Sequence, residues 1–213
     1  MRALTRLPEP LILVERGQIW LDSLLASGKT RPDSTKYGNP NIRLQLNSIS
    51  FHKCYYCESK LKDRSSEIDH HIEISININL SYVWSNLYLA CDNCNTKLNH
   101  ITIPITQALD PFTNSDVEIY ENVTFIDELI TAVNGSVLGL NTIQKYRLDS
   151  DLLDKRRITQ LKYFYKFLDQ IRLKQIEDGG RELTLDEITA INHFKQIDQP
   201  YSLMFKIIIG QIA

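Results

Sequence analysis

Residues 51–100 read FHKCYYCESK LKDRSSEIDH HIEISININL SYVWSNLYLA CDNCNTKLNH, and this stretch decides the fold. The four cysteines of the chain all fall in it, as two CxxC pairs: Cys54 with Cys57, and Cys91 with Cys94. In a compartment where thiols stay reduced, this spacing reads as metal ligation and not as a disulfide framework. Two such knuckles can close a tetrahedral Zn²⁺ site of the structural kind, which contributes folding energy and does no chemistry. The segment between Cys57 and Cys91 is longer than the usual gap of a zinc ribbon, so a further substructure is expected inside it.

That insert carries the chemistry. Ile68, Ile72, Ile74, Ile76, Ile78 and Leu80 share one parity and Asp69, His71, Glu73, Ser75, Asn77 and Asn79 the other, a strand period that the later Asn and Ser residues allow a loop to interrupt. His70 stands on the isoleucine parity, where a core histidine is the alternative to a functional one. Asp69, His70 and Asn86 lie in the insert, and Asn95 directly follows the last cysteine. Asp and Asn offer oxygen donors suited to Mg²⁺ or Mn²⁺, and a neutral histidine suits a general base. Phosphodiester hydrolysis requires both a hard cation and a base.

The phrases KCYYCESKL, EIDHHIE and WSNLYLACDNCNTKL resemble the HNH endonuclease pattern in its two-knuckle zinc form. The resemblance implies an α+β fold, a zinc-knuckled ββα-metal core flanked by helical N- and C-terminal regions. It implies that Asp69 is a ligand of the catalytic cation, His70 the general base, Asn86 the residue that braces the loop and orients the histidine, and Asn95 the last metal ligand. More narrowly, MRALTRLPEP, ALDP at 108–111 and NTIQKYRLDSDLLDKRR at 141–157 resemble the PtuB-like HNH proteins of Septu and retron-type antiphage systems. That likeness implies an ABC-type, PtuA-like ATPase as partner and DNA or RNA as substrate. Many HNH relatives place Arg-Pro-Lys shortly after the histidine. Here His71-Ile72-Glu73-Ile74 follows, with no Lys or Arg until Lys97, so phosphate stabilisation falls to the metal, Lys97 or His71.

Outward from the core, the division expected is 1–50 as an N-terminal helical region, 51–100 as the nuclease core, and 101–213 as a mainly helical region that could dock a partner. Leu11 to Ala26 has helical spacing and ends at Ser27-Gly28, and Lys29 to Pro40 reads as loop. Val117 to Phe125 and Ile130 to Leu138 suggest a small hairpin around Asn134-Gly135. Asp149 or Ser150 can cap a long helix through about Ile176, and Thr184 or Asp186 a second to about Gln196. Tyr163, Phe164, Tyr165 and Phe167 read as interhelical packing, and Lys155, Arg156 and Arg157 as a solvated face. The apolar run from Tyr201 to Ile212 either finishes the core or meets a partner.

A formal net charge of −2 excludes a global basic field, so nucleic acid must be held by a local patch or presented by a partner. No stretch approaches a membrane span and the N-terminus lacks a targeting pattern, so a cytoplasmic protein is expected. A zinc-stabilised nucleic-acid-binding or adaptor module with a degenerate nuclease site is the alternative, and such a module has no need to keep Asp69, His70 and Asn95 at motif spacing.

Overall fold

A strand can persist only while it has a neighbour to pair with, and this rule sets the centre of the molecule. The computed structural model describes residues 1–61 and 66–212. Strand β1 (Ser66–His70) pairs antiparallel with β2 (Leu87–Cys91), aligning Asp69 with Tyr88 and His70 with Leu87. Beyond His71, whose N–H still donates to Asn86 O at 2.9 Å, the chain has no strand partner among the described residues, and the isoleucine alternation is not a strand. It becomes a looped excursion with a short 3-10 turn at Ile78–Leu80, and Ile76 is 50% exposed.

The helices around this ribbon follow from local signals. Helix α1 (Leu11–Ala26) matches the expected bounds. The supposed loop after it holds a single turn, α2 (Ser34–Tyr37), capped by the Asp33 side chain on the Thr35 amide. In α3 (Pro40–Ile49), proline occupies the first turn, where its missing N–H costs nothing, and Asn39 caps the Asn41 amide. Ile42, Leu46 and Ile49 recur on one face of α3 and are buried, with the helix packed against β2. Helix α4 (Asp92–Asn95) is the single turn that completes the ββα unit.

Beyond it the expected hairpin is shifted along the chain. Val117 lies in α5 (Asp116–Asn122), fixed by a reciprocal capping box between Ser115 and Glu118. The hairpin is β3 (Val123–Ile126) with β4 (Leu129–Ala132), turning at Asp127-Glu128 with Asp127 at φ 51°. Asn134-Gly135 instead makes a 3-10 turn leading into α6 (Val137–Lys145). Ser150 caps α7 (Asp151–Glu177), which Gly179 and Gly180 end at φ 80° and 83°. Thr184 forms a capping box with Glu187 to start α8 (Leu185–His193).

Arg157 overturns the solvated-face reading. It is fully buried, donating to Leu148 O at 2.7 Å and Glu128 O at 3.2 Å, and it lies over the Phe125 ring, so it fastens α7 to the hairpin. Of the four aromatics of α7, Phe164 is buried and Phe167 half-buried against Phe194, whereas Tyr163 and Tyr165 are 63% and 43% exposed. In α9 (Ser202–Ile212), Leu203, Met204, Phe205, Ile208 and Ile209 are buried, so this segment finishes the core.

Candidate active site

The knuckles come first because they set the frame. Tyr55 N–H donates to Leu89 O at 2.9 Å, which ties the Cys54–Cys57 turn to β2, while Cys91 ends β2 and Cys94 sits in α4. The four sulfurs lie within 4.8 Å of one another and are buried. Cys57 and Cys91 Sγ are 3.7 Å apart, close to the tetrahedron edge of about 3.8 Å that Zn–S bonds of about 2.3 Å require. Burial pushes the Cys54 and Cys94 thiols well up, while hydrogen bonds with the neighbouring cysteines and Ser59 outweigh burial at Cys57 and pull it well down; a bound dication would hold all four as thiolates. The donor set fits zinc. Cys57 Sγ also lies 3.1 Å from the Ser59 hydroxyl, itself 2.8 Å from the Tyr201 hydroxyl, so the residue leading into α9 supports the knuckle.

Asp69 and His70 at the end of β1, and Asn95 at the end of α4, line one cleft of about 860 Å³ together with Tyr37, Glu73, Lys97 and Arg31. His70 Nε2 is 2.9 Å from Ser81 O. A carbonyl can only accept, so Nε2 carries the proton and Nδ1 keeps its lone pair, with no hydrogen-bond partner among the described residues. The Tyr37 ring packs edge-on against the imidazole at 4.9 Å between centroids. Burial lowers the His70 pKa and Lys97 adds to this, against the opposing pull of Ser81 O and Asp69, so the ring is neutral at pH 7.

Asn86 is buried and braces the loop between the strands. Its Oδ1 accepts from Ile72 N–H at 2.7 Å, and its Nδ2 donates to Ile72 O at 3.0 Å and Leu80 O at 3.3 Å. Ser81, which follows Leu80, supplies the carbonyl that fixes His70.

Asp69 is more tightly held than the sequence suggests. Lys97 Nζ reaches its two oxygens at 2.8 and 2.6 Å and also the carbonyls of His70 and His71, while the Tyr56 hydroxyl donates to Oδ2 at 2.6 Å. Oδ1 has only Lys97 as partner among the described residues, and a carboxylate oxygen has lone-pair room for a second. The exposed Asn95 amide makes no hydrogen bond among the described residues, so its oxygen is open to a hard cation, whereas Asp69 shares both of its oxygens with Lys97.

His71 belongs elsewhere. It is buried, stacked on Tyr88 at 4.1 Å, with Nε2 3.6 Å from Asp110 Oδ2, and burial with the nearby Lys97 and Arg6 pushes its pKa down to about 2. It is therefore a neutral core residue, neither a surface residue nor a phosphate contact. His100 does not line the cleft, and Lys145 is spent on Glu73 at 3.0 Å. The clamp of Tyr56 and Tyr37 on the Asp-His pair, and the Ser81 carbonyl, had escaped sequence reasoning. The tyrosines carry no motif, and a backbone carbonyl has no sequence signal at all.

Residues 54–100 match the family model described as HNH endonuclease. The segment is an HNH endonuclease domain. Septu protein PtuB of Bacillus thuringiensis is 38% identical over 63 residues, a match that covers 29% of this chain and 24% of that relative. The chain thus matches about a quarter of the length of the curated relative. The HNH domain spans both knuckles, β1, the braced loop, β2 and α4, which are the elements that assemble the cleft.

Proposed function

We propose that the chain is a metal-dependent HNH endonuclease that hydrolyses phosphodiester bonds in DNA or RNA, as the effector of a Septu-type antiphage system acting with an ABC-type, PtuA-like ATPase in the cytoplasm. The observation that carries the nuclease reading is the state of His70: neutral, its Nε2–H fixed to Ser81 O, its Nδ1 lone pair without a partner among the described residues, in the same cleft as Asp69 and Asn95.

In this reading His70 Nδ1 accepts the proton of a water as its oxygen attacks phosphorus. Asn86 keeps the imidazole aimed by holding the loop that carries Ser81. Asp69 and Asn95 would hold one Mg²⁺ or Mn²⁺, which would supply positive charge to the phosphate. Lys97 and Tyr56 fix the Asp69 carboxylate. No helix among the described residues is long and apolar enough to cross a membrane, in keeping with substrates met in solution.

One observation favours the rival reading of an adaptor with a degenerate site. Lys97 engages both Asp69 oxygens and so competes with a cation for them. Labelled DNA and RNA incubated with Mg²⁺, with and without the ATPase, separate the two. Mg²⁺-dependent cleavage lost in Asp69→Ala is expected. Nucleic-acid binding without cleavage under every condition would leave the adaptor.

A further inference from the structure

A cleft that works on a polyanion needs uncompensated cations beside it, and the charge of this one is almost fully spent. Lys97 is consumed by Asp69 and the buried Lys145 by Glu73. Arg31 is the one lining cation of the cleft that has no ion pair among the described residues. It also lines a second hollow of about 430 Å³ that adjoins the first, together with Lys29 and Lys36. Lys29 and Arg31 are exposed, Lys36 is half-buried, and all three are without ion pairs among the described residues. Asp33, which lines the same hollow, accepts from the Thr35 amide at 2.9 Å and hydroxyl at 2.8 Å through Oδ1 and offsets part of the charge of Lys29 and Lys36.

The segment that carries these cations is fastened to the nuclease core. Gly28 at φ 65° turns the chain out of α1. Asp33 N–H then donates to the Tyr82 hydroxyl at 3.2 Å, and Tyr82 packs edge-on against Trp20 of α1. Arg43, within α3, donates to Gly38 O and Ser66 O, which joins the end of the segment to β1. Between these anchors Tyr37 touches the His70 ring. The same segment therefore supports the imidazole and holds the cations at the rim, so they need little ordering when a ligand arrives.

We propose that Arg31, with Lys29 and Lys36 beside it, binds the phosphate backbone of the substrate strand where it leaves the cleft, and so replaces the basic residues that follow the histidine in other HNH domains. The inference rests on the nuclease reading above, and names the element that holds its substrate. Backbone contacts position without reading sequence, so the site takes DNA or RNA phosphates alike.

The test measures binding of labelled single-stranded and duplex DNA, and of the matching RNA, to full-length protein carrying His70→Ala, with Mg²⁺ present and salt varied. Lys29→Gln/Arg31→Gln/Lys36→Gln is expected to weaken binding about tenfold or more near physiological salt. It should also flatten the log–log salt slope by about 2–3, at about 0.7–0.9 for each phosphate that is no longer neutralised. Arg31→Lys should bind close to the parent, because the charge is kept. Lys155→Gln/Lys162→Gln/Lys166→Gln removes equal charge from α7 and should leave binding nearly unchanged. An unaltered slope in the cleft-rim variant, an equal weakening in the α7 variant, or no binding by the parent to any probe would each overturn the proposal. Cleavage by the protein with His70 intact judges the nuclease reading separately.

Discussion

Replacing Asn86 with alanine removes three hydrogen bonds at once and leaves Ile72 N–H and Ile72 O without a partner among the described residues, while Leu80 O keeps only the Val83 N–H at 3.4 Å. Asn86 is only 4% exposed, so water reaches these groups poorly. An unsatisfied buried group costs about 1–3 kcal/mol, and with partial relaxation of the loop the sum should be about 3 kcal/mol. The functional loss should exceed what unfolding explains. Ser81 O, which holds His70 Nε2–H, follows directly on Leu80, and a displacement of about 1 Å at a reacting group can cost about 10²-fold in rate. Urea unfolding gives the first quantity, and single-turnover cleavage at saturating Mg²⁺, under conditions where the variant is folded, gives the second. Parent-like cleavage by a variant destabilised by about 3 kcal/mol would show that the brace does not orient the histidine. A loss below about 0.5 kcal/mol, the range of a surface substitution, would refute the burial argument itself.

Asn95→Ala touches an exposed side chain with no hydrogen bond among the described residues, so stability should stay within about 0.5 kcal/mol, while the Mg²⁺ concentration needed for half-maximal cleavage rises; an unchanged Mg²⁺ requirement would remove Asn95 from the metal site. Metal analysis should find about one Zn²⁺ per chain, and Cys57→Ser should lose both the metal and cooperative unfolding, whereas a fully folded zinc-free protein would refute the knuckle assignment. His71 has a folded pKa of about 2 against an ordinary 6.5, so its contribution to stability is complete above pH 6.5 and is lost as pH falls toward 2. The unfolded chain takes up that proton, a slope of about 1.4 kcal/mol per pH unit, which His71→Phe should remove from the stability profile between about pH 6 and 4.

The site was legible in the sequence to the extent that one residue type implies one chemistry. The CxxC pairs, the Asp69-His70 dipeptide, Asn86 and Asn95 announce themselves by spacing, and the fold gathers Asp69, His70 and Asn95 into one cleft. What could not be read is what depends on contacts between distant segments. The isoleucine alternation suggested a longer strand because periodicity reports which faces are apolar and says nothing of whether a partner strand is present. Arg157 passed for a surface charge because three carbonyl and carboxylate acceptors meet it only after folding. Lys97 was noticed as a cation, but its engagement of Asp69 depends on α4 lying against β1. The helices, by contrast, were read almost to the residue where a cap and a glycine mark both ends, as in α7.

The central claim is that His70 is the general base of a hydrolytic site, and the rate of Mg²⁺-dependent cleavage by His70→Ala tests it most directly. Zinc content should match the parent, because the ring ligates no structural metal, while stability should fall by about 1–3 kcal/mol as the buried Ser81 carbonyl loses its donor, so rates are compared where the variant is folded. The cleavage rate should fall by about 10²–10⁴-fold, the usual worth of a positioned base. A His70→Ala protein that cleaves DNA or RNA as fast as the parent would contradict the assignment.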